Sequence, residues 1–220
     1  MKLLIKFPTR GRKETFFKVL DKYYEYLDDN ENTKFIISCD VDDSTMNNDK
    51  VIERFKKYKN LKFYYGNSKS KIEAINSDLE KDEDYDIILL ASDDMIPQIK
   101  GYDTIIKNDM KKYYPDTDGV LWYFDGYRKD LNTLSILGNK YFKRFNYIYN
   151  PEYKSFYADN EFMLVANKLN KQKFIDLCII KHNHPDINGD EYDETYNKNN
   201  FSGDDIIFRN RYIKNFNLTQ

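Results

Sequence analysis

The stretch Ile87-Ile88-Leu89-Leu90-Ala91-Ser92-Asp93-Asp94 decides how this chain is read. A continuous apolar run of this kind forms a strand buried on both faces, as inside a parallel sheet. It leads straight into two carboxylates, which are costly to desolvate unless something pairs with them. In open α/β sheets the C-terminal edge of the strands is where ligands bind. A divalent cation carrying phosphates would satisfy both acids at that place. An Asp-Asp pair can also cap a helix or open a turn, so the surrounding sequence has to decide.

Working outward, Leu3 to Phe7 reads as a strand that stops at Pro8, and Phe35 to Cys39 and Leu61 to Tyr65 read as two more. Between them, Glu14 to Leu27, Asp49 to Tyr58 and Lys71 to Leu79 carry apolar residues at helical spacing. The order β-α-β-α-β-α-β, ending on Ile87 to Leu90, predicts a parallel sheet with right-handed crossovers and helices on both faces. The second half is less regular. Gly101 to Tyr114 reads as a helix; Gly119 to Phe124, Leu134 to Leu137 and Phe174 to Ile180 read as strands. Asn188 to Asn200 is polar and reads as a loop, and Phe201 to Phe216 as a docked terminal helix. No linker, repeat or low-complexity segment divides the 220 residues, so the expectation is one α/β domain over 1–220.

Charge excludes some functions. With 35 basic and 37 acidic residues the chain has no net field to attract nucleic acid or an anionic membrane. Its 20 Tyr and 15 Phe mark a globular chain, and because tyrosine buries its ring while wetting its hydroxyl, low mean hydropathy understates the core. Cys39 and Cys178, each at the end of an apolar run, read as buried free thiols of a reducing compartment. Met1 to Phe7 is too short and too soon interrupted for a signal peptide. No stretch approaches the ~20 apolar residues of a membrane span. The expectation is a cytoplasmic protein with no membrane span and no nucleic-acid partner.

Every strand of the first half ends in polar residues. Pro8-Thr9-Arg10-Gly11-Arg12 follows the first, Asp40-Val41-Asp42-Asp43-Ser44-Thr45 the second, Gly66-Asn67-Ser68-Lys69-Ser70-Lys71 the third, and Asp93-Asp94 the fourth. In a parallel sheet these ends share one edge, so arginines, lysines and acids converge on one crevice. A nucleoside diphosphate held by basic groups and a metal fits that chemistry.

The segment from Tyr65 to Asn76, followed by Asp86 through Asp94, resembles the GT-A family of nucleotide-sugar glycosyltransferases, in particular its family-2-like branch. That family has a Pro-Thr or Pro-x-Arg turn after an opening strand and an acidic loop after strand two. A basic residue then precedes an Ala-x-x-Asn helix, and an Asp-x-Asp type motif follows strand four. The match covers roughly the first hundred residues. It implies a single GT-A (Rossmann-like) domain with a nucleotide-binding half (1–100) and an acceptor-binding half (101–220) of mixed strands and a C-terminal helix.

By position, the resemblance implies that Pro8, Thr9 and Arg10, with Arg12 nearby, line the donor pocket. Asp40 or Asp42 would contact the base or ribose, and Lys69 or Lys71 the base or diphosphate. Asp94, with Asp93, would hold Mn²⁺ or Mg²⁺ against the diphosphate of a UDP- or GDP-linked sugar. Leu90-Ala91-Ser92-Asp93-Asp94 stands where many members have Asp-Ala-Asp-Asp, leaving the cation fewer carboxylates. Tyr157-Ala158-Asp159-Asn160-Glu161-Phe162 resembles the motif that supplies the catalytic base of inverting members, with Asp159 first and Glu161 as fallback. Asp159 could equally cap a helix starting near Glu161. Lys181-His182-Asn183-His184-Pro185 resembles a segment whose histidine completes the metal site, and His182 and His184 remain alternatives. Trp122, Tyr123, Tyr127 and Tyr157 would shape the acceptor side.

The implied activity is inverting, metal-dependent transfer of a sugar to a glycan, lipid or protein hydroxyl. Two alternatives stand beside it. One is a catalytically silent sugar- or nucleotide-binding domain of the same fold. The other is a sugar-nucleotide nucleotidyltransferase, disfavoured because such enzymes usually carry a Gly-rich loop directly after strand one, where only Gly11 is available.

Overall fold

A computed structural model describes residues 1–81, 84–183 and 203–218. In β1 (Leu3–Pro8), Leu3, Ile5 and Phe7 are buried on one face and Leu4 on the other, as the twofold period of a strand requires. The same pattern holds in β2 (Thr33–Asp40) and β4 (Ile87–Leu90), whose apolar residues are buried on both faces. These strands and β3 (Leu61–Gly66) run parallel to their neighbours in the order β3-β2-β1-β4. Beyond β4 the sheet becomes mixed. β7 (Ile136–Gly138) pairs antiparallel with β4 and with β6 (Val120–Tyr123), and β8 (Gln172–Ile175) runs parallel to β6 at the far edge.

One face is covered by α1 (Lys13–Glu25), α2 (Asp49–Phe55) and α4 (Tyr102–Tyr113), through Phe16, Leu20, Tyr23, Phe55, Tyr102 and Ile106. The other is covered by α3 (Lys71–Asn76), α5 (Asn139–Lys143) and α6 (Ala158–Lys168), through Ile72, Ile75, Tyr141, Phe142 and Phe162. A last helix, α7 (Asp204–Ile213), packs on α6. The α/β architecture, the mainly parallel centre and the mixed second half are those expected from the sequence.

Several elements differ from expectation. Phe174 to Ile180 is not one strand. Exposed Asp176 and Leu177 interrupt it, and the chain leaves the main sheet to form β9 (Ile180–His182), which pairs antiparallel with β5 (Met95–Pro97). The helix expected over Lys71 to Leu79 ends at Asn76, because Ser77 is extended and Asp78 takes a left-handed φ of 61°. α6 begins earlier than the sequence suggested: Tyr157, at φ 63°, holds the N-cap position, and Asp159 lies in the first turn instead of capping it. The terminal helix stops at Ile213, before the left-handed residues Asn215 and Phe216. Cys39 is buried, Cys178 is only half-buried, and neither forms a disulfide. No helix among the described residues is long and apolar enough to cross a membrane. The loop expected over Asn188 to Asn200 lies outside the described residues.

Lys6 breaks the apolar pattern of β1. Its ammonium group is buried beneath the sheet and bonded to the Ser38 hydroxyl, which donates in turn to Asp78 at 2.5 Å. Burial pushes the amine down to about 8, against the pull of Asp78 and Glu80. The unfolded chain, with an ordinary lysine near 10.4, therefore binds the extra proton between those values, so stability rises with pH across that window and is lost as pH falls through about 8. Relative to Lys6→Met, the wild-type chain should gain about 2 kcal/mol between pH ~7 and pH ~9.5. Urea titrations of both proteins at the two pH values measure it.

Candidate functional site

The parallel strands bring their C-terminal ends to one edge, where the loops are stitched together by side chains. Arg10, after β1, donates to Asp40 at 2.7 Å and to both carboxylate oxygens of Asp42 at 2.6 and 2.9 Å, after β2. Asp40 also accepts the Ser68 N–H at 3.3 Å, which ties in the loop after β3. Asp43 accepts the Gly11 N–H at 2.7 Å and is buried, so it serves as a brace between the first two loops. Arg12 donates to Asp93 at 3.1 Å, which links the loop after β1 to the acidic pair after β4. Arg10, Arg12, Asp40, Asp42, Asp93 and Asp94 thus share one rim, as the sequence led us to expect.

The lysines lie on the same side. Ser70 caps α3 by accepting the Glu73 N–H at 3.1 Å, while Glu73 reaches back to the Lys69 N–H at 2.9 Å. This reciprocal arrangement fixes where the helix starts. The side chains of Lys69 and Lys71 are exposed. The positive charge of Lys71 acts on Asp94. Pro8 is half-buried, and Thr9 is buried with its hydroxyl lacking a hydrogen-bond partner among the described residues.

Asp94 is strongly perturbed. Burial opposes its ionisation, but His182, the Ser92 hydroxyl and Lys71 outweigh that cost and hold the carboxyl well below the usual carboxylate range. The small β5–β9 ribbon brings the histidine there. His182 stands opposite Met95 in register, the Asn183 N–H donates to the Asp94 carbonyl at 2.8 Å, and His182 Nε2 lies 3.4 Å from Asp94 Oδ2. His184 lies outside the described residues. The hydroxyl of Tyr23, fully buried on α1, has no hydrogen-bond partner among the described residues and feels the Asp94 charge.

Among the described residues, no group of three or more histidine, cysteine, aspartate or glutamate side chains gathers to hold a metal ion. An ionised carboxylate beside an imidazole nitrogen nevertheless suits a cation whose remaining ligands are phosphate oxygens and water. Asp94 and His182 are the residues that fit it.

The loop after β6 lies beside this pair. The His182 N–H donates to the Asp125 carbonyl at 2.9 Å. The Asp125 carboxylate accepts the N–H groups of Tyr127 and Arg128 at 2.8 and 2.7 Å and the Thr133 hydroxyl at 2.7 Å, which folds residues 125–133 into a fixed loop. Gly126, at φ 88°, is required in that loop, since a Cβ there would stand 2.9 Å from the Lys181 side chain. Arg128 feels the charge of Asp159. Tyr127 is exposed and Tyr157 partly so, whereas Tyr123 is buried against α4, bonded to Asp109 at 2.6 Å, and belongs to the core.

Asp159 and Glu161, two residues apart, have different surroundings. Asp159 is half-buried, and the hydrogen bond it accepts is from its neighbour, the Asn160 N–H, at 2.9 Å. Glu161 is buried, with its oxygens taken by Arg211 at 2.7 and 2.8 Å, Tyr153 at 2.7 Å and Asn150 at 3.1 Å. A carboxylate so saturated holds helices together and has no lone pair directed outward for an incoming proton. Ser92, Asp43, Asp125 and Tyr23 were not singled out from the sequence. Ser92 alone carried a signal there, lying two residues before Asp94.

No protein-family model matches the chain, and neither does any curated protein. Solved structures do resemble it. S. aureus TarS 1–349 in complex with UDP-GlcNAc superposes with a TM-score of 0.70 at 15% identity, covering 91% of this chain and 62% of that one. The mannosyltransferase PcManGT from Pyrobaculum calidifontis, in complex with GDP-Man and Mn²⁺, gives a TM-score of 0.64 at 10% identity, covering 83% of this chain and 56% of that one. S. aureus TarS itself gives 0.66 at 15% identity over 84% of this chain and 37% of that one. The chain therefore spans less than two thirds of the length of these structures. The likeness establishes the fold, which is that of GT-A glycosyltransferases.

Proposed function

We propose that this chain transfers a sugar from a nucleoside-diphosphate sugar to an acceptor hydroxyl, with inversion at the anomeric carbon. The observation that carries the reading is the stitched rim: loops from four parallel strands converge beside the Asp94–His182 pair, and Asp159 on α6 acts on Arg128 of the loop whose Asp125 carbonyl accepts the His182 N–H. Asp40 or Asp42 reads the base and ribose, and Thr9, with its unpaired hydroxyl, contributes to the same pocket. Lys71 and the arginines offset the charge that builds on the diphosphate as it departs. A divalent cation held by Asp94 and His182 would supply further charge neutralisation at that diphosphate.

Asp159 accepts the proton of the acceptor hydroxyl while its oxygen attacks the anomeric carbon; the carbon–oxygen bond to the diphosphate breaks, and the nucleoside diphosphate leaves. The reacting carbon gains oxocarbenium character, which surrounding carboxylates stabilise. Glu161, locked in its pair with Arg211, is a poor substitute for Asp159.

One observation favours a second reading. The stretch Leu90-Ala91-Ser92-Asp93-Asp94 lacks the first acid of the metal motif that the resemblance implies, and a silent binding domain of this fold would tolerate that loss. Thermal unfolding with UDP-, GDP- and dTDP-sugars, each with and without Mn²⁺, followed by an assay for released nucleoside diphosphate, separates the two. Stabilisation by one donor that requires Mn²⁺, together with turnover, is expected. Stabilisation without turnover on any acceptor supports the silent domain, and no response to any donor removes the transferase reading.

A further inference from the structure

The turn that carries Asp159 is held from outside by α7. Asp204, at the start of α7 and 1% exposed, accepts the N–H of Lys154 at 3.1 Å, of Ser155 at 2.8 Å and of Phe156 at 2.8 Å. Three successive amides aimed at one buried carboxylate form an anion-binding concavity, which the chain fills with its own side chain. One residue further on, Tyr157 takes a left-handed backbone conformation and stacks on Phe208 of α7, ring centroids 5.3 Å apart. A bulky residue keeps such a conformation only where its surroundings impose it. On the other side of Asp159, Arg211 grips Glu161 with two hydrogen bonds and also reaches Glu152. Contacts from α7 thus flank Asp159 on both sides. The same strap touches the donor side, since the Lys154 carbonyl accepts the N–H of Ile72, next to Lys71.

We infer that α7 is a clamp that sets the position of Asp159, with Asp204 as its positioning residue. The inference rests on the glycosyl-transfer reading above. Buried ion pairs such as Arg211–Glu161 contribute little net stability but fix geometry. A fixed geometry matters at a base that must meet an acceptor hydroxyl, because a displacement of about 1 Å in a catalytic group can cost on the order of a hundredfold in rate. Asp204 touches no substrate in this account and acts through the 154–157 turn alone.

The test compares wild type with Asp204→Ala and Asp204→Asn in the full chain, reading amide hydrogen exchange over 154–161, donor affinity, and kcat. Asp204→Ala should raise exchange at 154–156 by about tenfold or more, lower kcat by about tenfold or more, and leave donor affinity within about twofold. Asp204→Asn keeps one acceptor oxygen and should recover part of the loss. If Asp204→Ala does not fold, Arg211→Gln is expected to give the same split between kcat and donor affinity. Unchanged exchange at 154–156, or raised exchange with kcat within about twofold of wild type, overturns the inference. So does a parallel fall of donor affinity and kcat, which would mark general destabilisation. A wild-type chain that transfers no sugar overturns the functional reading instead, while the exchange data still decide whether the clamp exists.

Discussion

Asp159→Asn should lower transfer by about 10²- to 10⁴-fold, the range that a positioned general base contributes, and leave donor binding unchanged. The replacement is nearly isosteric, so it removes the proton acceptor without opening a cavity. Its local partner, the Asn160 N–H, still finds the amide oxygen of the new side chain. Asp159 is half-buried and its charge acts on Arg128 of the 125–133 loop, which in the proposed reading lies on the acceptor side. For that reason kcat should fall while the donor KM stays constant, the signature of an interaction made in the transition state. The contrast is Glu161→Gln. That change weakens the buried ion pair with Arg211, which keeps Glu152, so it should cost stability and lower kcat by about tenfold through the loosened turn of Asp159, well short of the loss expected when the proton acceptor itself is removed. Steady-state kinetics and unfolding of both variants check it. Full activity in Asp159→Asn would remove this residue from the role.

Asp94→Asn should reduce kcat/KM by at least about a hundredfold and abolish the dependence of donor binding on Mn²⁺. The carboxyl is held ionised by His182, Ser92 and Lys71 despite its burial, so the site is charged across the physiological range. An amide in its place keeps the shape and the contact with Ser92 but loses the charge that a cation and its diphosphate require. Donor titrations with and without Mn²⁺ in wild type and variant measure the effect. Equal Mn²⁺ dependence in both would exclude Asp94 as a ligand.

The central fold was legible because its strands announce themselves. Ile87 to Leu90 and Leu3 to Phe7 are apolar on both faces, and only a strand inside a layered sheet buries both. Phe174 to Ile180 looks equally apolar but spans two strands in different sheets. Asp176 is the only local sign of the break, and the partner of β9, the three-residue β5, is too short to carry a periodic signal. The rim was legible for a related reason: parallel register dictates that residues following successive strands end up side by side. What could not be read is which carboxylate is free. Asp159 and Glu161 are alike in sequence, and the difference lies in Arg211, fifty positions away. Asp204 and Asp125 escaped notice because most of their partners are backbone amides, and amides carry no sequence signature.

A crystal grown with a nucleoside-diphosphate sugar and Mn²⁺ tests the central claim most directly. The expected result is an anomalous Mn²⁺ peak in contact with Asp94 and His182, with the diphosphate bridging to it and the base lying between Thr9 and Asp40. A nucleotide bound away from the loops that follow β1 to β4, or a Mn²⁺ ion that does not touch Asp94, would contradict the account.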